Sequence, residues 1–154
     1  MCFNSRFTYK DTKIGNVYIQ AIEVNHPILC HSVKIIEDSR SFVFMTDNEI
    51  NQENPKLDYE DMLEFVRGVD CLIIDAMYLD EEINKKRGWG HSSVSEVAKL
   101  AVDANVKSLG LYHHDPGRGD DMVDEMESRC KKILNNNGLD IPCFATYDRQ
   151  EISL

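Results

Sequence analysis

Four apolar runs in this sequence end in residues able to do acid–base or metal chemistry. Asp47 closes Phe42-Val43-Phe44-Met45-Thr46, and Asp75 closes Leu72-Ile73-Ile74. His113 closes Leu109-Gly110-Leu111-Tyr112, with His114 and Asp115 behind it, and His26 follows Ile22-Glu23-Val24. Imidazole nitrogen with carboxylate oxygen is a donor set for zinc, manganese or iron. In α/β folds ligands gather where strands terminate, because a rigid sheet fixes the loops there. Each residue alone also has a plain reading. An aspartate after a strand is often a turn former or helix cap, and a lone histidine is often only packed or solvated. No H-x-H or H-x-x-x-H pair decides between the two.

The elements that must position these residues follow from hydrophobic period. Phe7 to Lys10 leads through a Gly15-Asn16 turn into a strand over Val17 to Val24. Its alternation puts Val17, Ile19 and Ala21 on one face and Tyr18, Gln20 and Ile22 on the other. Leu29 to Ile36 and Ser41 to Thr46 form a hairpin about Glu37-Asp38-Ser39-Arg40. After a polar loop, Asp58 caps a short helix that buries Leu63 and Val66 and stops at Gly68. Cys71 to Asp75 is almost uniformly apolar, as in a strand covered on both faces. Ser92 or Ser93 caps a helix, with Glu96 completing a capping box. Val106 to Tyr112 is a strand. Arg118 to Asn137 is an amphipathic helix with Met122, Met126 and Ile133 inward. Ile141 to Tyr147 and Glu151 to Leu154 close the chain as strands. Strands followed by alternating helix and strand imply an α/β layer arrangement with a mixed sheet.

Composition narrows the partners. Seventeen basic against 27 acidic residues give a net charge of −10, which offers no general attraction for nucleic acid or an anionic membrane. The single basic cluster, Lys85-Lys86-Arg87, suits a local anion or a solvated helix end. No apolar run reaches the length of a membrane span, and the first residues lack a signal-peptide core. The five scattered cysteines contain no C-x-x-C pair and read as reduced core residues of a cytoplasmic protein.

Taken together, the runs ending in Asp47, Asp75 and His113, with Gly90-His91-Ser92-Ser93 between them, resemble the C-terminal half of a metallo-β-lactamase-fold hydrolase. The likeness is to the branches of tRNase Z and of PhnP-like cyclic phosphodiesterases. Its most specific part is Lys85-Lys86-Arg87-Gly88-Trp89-Gly90-His91-Ser92-Ser93 with His113-His114-Asp115-Pro116.

The resemblance implies half of an αββα sandwich and a metal-dependent hydrolase of phosphodiester type. It implies His26, Asp47 and His113 as metal ligands, with Asp47 bridging. It implies His91 as the residue that stabilises or protonates the scissile phosphate, and Asp75 as the carboxylate that orients it. Arg87, Trp89 and His114 are the implied substrate contacts. The ion is a divalent metal, zinc first, with manganese or iron as alternatives. The substrate is a small phosphorylated or cyclic phosphate molecule rather than a large nucleic acid. The family's H-x-H-x-D-H string occurs nowhere in these 154 residues. Residues 1–154 are therefore expected to form one partial domain. That domain would need a homodimer or a complementary chain for the other half, or would survive as an inactive binding module.

Overall fold

The computed structural model describes residues 11–154. The expected strand over Phe7 to Lys10 lies outside them. Seven strands form one sheet in chain order: β1 Thr12–Ile14, β2 Val17–Glu23, β3 His31–Glu37, β4 Arg40–Met45, β5 Cys71–Asp75, β6 Leu109–Tyr112 and β7 Cys143–Ala145. The pairings β1–β2, β2–β3 and β3–β4 are antiparallel, while β4–β5, β5–β6 and β6–β7 are parallel. The helices are α1 Tyr59–Val66, α2 Asp80–Ile83, α3 Val94–Ala104 and α4 Asp120–Asn136. This mixed sheet with its helical cover is the expected α/β arrangement of a metallo-β-lactamase-like half sandwich.

The switch from antiparallel to parallel has a physical basis. The β3–β4 hairpin turns in two residues, with Asp38 and Ser39 both at positive φ. The parallel pairs instead need long crossovers, which α1, α3 and α4 supply. Asp58 caps α1 by accepting the Asp61 N–H at 2.9 Å. Ser93 caps α3, and its N–H donates back to Glu96 at 2.9 Å.

One face of the sheet meets the helices. Ile22, Val43, Met45, Leu72, Ile74, Leu109 and Leu111 join Met62, Val97, Leu100, Met126 and Leu134 in one core. The alternate residues Val33, Ile35, Phe42, Phe44 and Phe144 lie outside that core and are only half-buried or exposed. Half of an αββα sandwich has this consequence, because among the described residues no second sheet covers the face turned away from the helices. Among the described residues no helix is long and apolar enough to cross a membrane.

Two expectations are corrected. Met122 is 38% exposed rather than inward. It lies on the same stripe as Met126, Cys130 and Leu134, but one turn ahead of the part that packs. Residues 151–154 form no strand. The chain turns at Tyr147 to Gln150 and leaves the sheet edge, and Leu154 lines a hollow with Ile35 and Phe42.

Candidate metal centre

The C-terminal ends of β2, β4, β5 and β6 share one edge of the sheet, since β2 runs parallel in direction to β4 through two antiparallel pairings. His26, Asp47, Asp75 and His113 come from these ends, and His91 comes from the segment leading into α3. His26 Nε2 is 4.0 Å and His113 Nε2 3.8 Å from the same atom, Asp47 Oδ1. His91 joins them: it, His26 and Asp47 offer ligand atoms within 4.8 Å of one another. The His26 and His91 ring centres are 5.4 Å apart, and those of His91 and His113 4.7 Å.

Backbone geometry aims two of these residues. Asp47 and His113 sit at φ 50° and 61°, in the left-handed region that costs a non-glycine residue on the order of 1 kcal/mol or more. Each turn takes the chain off its strand, so the side chain points along the sheet edge rather than onto a face. The remainder of the fold supports this strain.

Asp75 organises two of the imidazoles from below. It is fully buried. Its Oδ2 lies 2.5 Å from His91 Nδ1 and 3.2 Å from His113 Nδ1. Its Oδ1 accepts the N–H groups of Met77 at 3.2 Å and Ser92 at 3.3 Å. Burial pushes the Asp75 carboxyl up, but the hydrogen bonds from His113 and His91 outweigh it and hold the group below its ordinary range. The same bond to Asp75 raises the His113 imidazole against its own burial. With both Nδ1 atoms held by one carboxylate, both Nε2 atoms are left for the cluster. Ligating histidines are commonly oriented this way.

Two overlapping groups, His26–Asp47–His91 and Asp75–His91–His113, each bring three ligand atoms within 4.8 Å of one another, and imidazole with carboxylate suits a divalent ion of the zinc, manganese or iron type. The donor set therefore fits the group that the sequence implies. His26 is held differently, with its Nδ1 3.3 Å from both the Ile28 amide nitrogen and the Cys30 sulfur.

The expected substrate contacts fall in three different settings. Trp89 is 56% exposed, with the Lys86 ammonium 4.0 Å from its ring centre. Arg87 is half-exposed but paired, 2.5 Å from Glu96 and 3.8 Å from Glu49. His114 is half-buried with its ring nitrogens shielded from solvent, and that burial lowers its pKa.

Sequence reasoning missed a second set of residues. Asn25, Asn48, Glu49 and Ser92 are polar and fully buried. The Asn25 N–H donates to Asn48 Oδ1 at 3.0 Å, and the Glu49 N–H to the Asn25 carbonyl at 2.8 Å. Ser92 Oγ donates to the Asn48 carbonyl at 2.6 Å and accepts the Ile50 N–H at 3.1 Å. These bonds lace together the three segments that carry His26, Asp47 and His91. The available signal was position: Asn25, Asn48 and Ser92 each adjoin a candidate ligand in the chain.

Residues 6–114 match the family model described as the beta-lactamase superfamily domain. The chain is 31% identical over 83 residues to a Ribonuclease Z of Saccharolobus solfataricus, an alignment covering 54% of this chain and 28% of that relative. The chain thus spans well under half the length of that curated relative. Among solved structures it resembles the metallo-beta-lactamase fold protein YhfI from Bacillus subtilis, with a TM-score of 0.69 at 18% identity over 89% of this chain and 48% of that one. It also resembles a diphosphatase from the PhnP family, with a TM-score of 0.63 at 14% identity over 94% of this chain and 46% of the other.

Proposed function

The chain belongs to the beta-lactamase superfamily domain family, and from that premise we propose that it serves as a metal-dependent hydrolase of phosphodiester type. The observation that carries this reading is the approach of His26 and His113 to one oxygen of Asp47, 4.0 and 3.8 Å away, with His91 beside them. His26, Asp47 and His113 would hold the ion, zinc foremost. When bound, such an ion polarises a phosphoryl oxygen and makes water a nucleophile near neutral pH.

The chain's own residues supply the rest. His91, tied to Asp75, is placed to give a proton to the leaving oxygen or to stabilise charge on the phosphate. Asp75 fixes its ring through the contact at Nδ1. Trp89 offers a face for a planar group, and Lys86 an ammonium for an anion. Arg87 acts mainly through its ion pairs, and His114 from the flank of the site. The net charge of −10 favours a small phosphorylated or cyclic phosphate substrate over a large RNA. The relative's name, Ribonuclease Z, makes RNA the second substrate to test. The free thiols Cys71, Cys130 and Cys143 support a reducing, cytoplasmic setting.

A second reading has its own support. The sequence contains no H-x-H-x-D-H string, and it covers 48% of the YhfI chain. Residues 1–154 would then be one partial domain. It would be active only with a homodimeric or complementary partner supplying further ligands, or inactive and retained for binding.

One experiment separates these readings. The chain is loaded with zinc or manganese and assayed on bis-p-nitrophenyl phosphate, a cyclic nucleotide and a short RNA. Metal binding with turnover that EDTA abolishes supports the hydrolase. Metal binding without turnover favours the partial or inactive module. No metal binding and no turnover sink the enzyme reading for this chain alone and leave the partial or inactive module.

A further inference from the structure

Glu49 is a fully buried acid to which the chemistry above assigns no role. Its carboxylate faces the glycine loop before His91. Oε1 and Oε2 lie 3.1 and 2.9 Å from the Gly88 amide nitrogen, and Oε2 accepts the Gly90 N–H at 3.0 Å. Both glycines have positive φ, 82° and 92°, which turns their N–H groups inward toward one acceptor. Arg87, the residue before them, is anchored by Glu96 at 2.5 Å and has its other guanidinium nitrogen 3.8 Å from Glu49. The loop in turn touches the cluster. A Cβ on Gly90 would stand 2.1 Å from His26 Cδ2 and 2.7 Å from Pro27 Cδ, so the Gly90 backbone lies directly against the His26 ring.

We propose that Glu49 is a positioning residue: its carboxylate fixes the Gly88-Trp89-Gly90 loop, and the loop sets His26 from one side and His91 through the chain. The expected effect on zinc affinity rests on the hydrolase reading; the loop geometry does not. Glu49 lies two residues after Asp47, and its N–H bonds the residue before His26. One residue thus links the three segments that bear His26, Asp47 and His91, its backbone N–H reaching the first and its carboxylate the loop before the last. A carboxylate suits the task because it accepts several N–H groups at once and donates none.

The test uses the full chain and its only tryptophan, which sits in this loop. In the wild type without metal, the Gly88 and Gly90 amides should exchange at least about a thousandfold more slowly than in an unfolded chain. Exchange within about tenfold of the unfolded rate overturns the proposal. In Glu49→Gln, acrylamide quenching of Trp89 should rise at least about twofold as the loop opens. Zinc affinity in that variant should fall by about tenfold or more. A Glu49→Gln protein that melts cooperatively with unchanged quenching and unchanged zinc affinity also overturns it. If the variant does not fold, wild-type exchange alone decides. A wild type that binds no zinc removes the metal reading and leaves exchange and quenching to judge Glu49.

Discussion

Asp75 Oδ2 holds the Nδ1 atoms of two histidines, His91 at 2.5 Å and His113 at 3.2 Å, from a fully buried position at the end of β5. One carboxylate thereby fixes the orientation of both rings. Asp75→Asn keeps the size but cannot accept from both rings with the same charge. Its zinc affinity, measured by competition with a chromogenic chelator, should fall about 10–100-fold. An unchanged affinity in a folded variant would remove Asp75 from the centre.

Gly90 is the tightest point of the site, and side-chain-free backbone is required there. Its φ of 92° disfavours any other residue, and a Cβ would meet His26 Cδ2 at 2.1 Å. Gly90→Ala should lower stability by about 1–3 kcal/mol through strain and overpacking. Urea denaturation measures the loss. The same step at Gly138, also at positive φ but with nothing near its Cβ position, isolates the conformational part.

The sequence made these elements legible to different degrees. The uniform apolar run Cys71 to Asp75 and the Ser93–Glu96 capping box both signal locally, and both form as read. The stripe through Met126 was also readable, but its extension to Met122 was not. Period identifies a face, whereas the length of that face that finds a neighbour depends on tertiary packing. The lacing of Asn25, Asn48, Glu49 and Ser92 had no local signature, because its bonds join segments 23 to 44 residues apart. The candidate ligands were found by strand-end position and by resemblance, and their mutual distances emerge only from the fold.

Glu96 serves three partners from the first turn of α3. It accepts the Ser93 N–H at 2.9 Å, the Asn51 amide at 2.8 Å and the Arg87 guanidinium at 2.5 Å. Glu96→Ala removes a helix cap and a charge-assisted bond together. The half-exposed Arg87 recovers part of the loss through hydration. The expected destabilisation is about 1–2 kcal/mol, read from the urea midpoint. The variant should also loosen the Arg87 end of the 88–90 loop, seen as increased Trp89 quenching.

Asp70 predicts a pH dependence remote from the site. Its Oδ1 accepts from Lys107 Nζ at 2.8 Å, and its Oδ2 from the Ser41 N–H at 2.8 Å and the Ser41 hydroxyl at 3.0 Å. The bond from Lys107 acts first, burial opposes it, and the bonds from Ser41 add to it, lowering the carboxyl from 3.8 to about 2. A folded-state pKa below the unfolded one means that the contribution is fully present above the unfolded value of 3.8 and disappears as pH falls through about 2. Lys107 is mostly exposed, so screening reduces the contribution to about 1–2 kcal/mol. Wild type and Asp70→Asn, compared by urea denaturation, should therefore differ most at pH 6. Their difference should narrow steadily as the pH is lowered below about 4. A constant gap across that range would mean that Asp70 stabilises the fold by packing rather than as a charge.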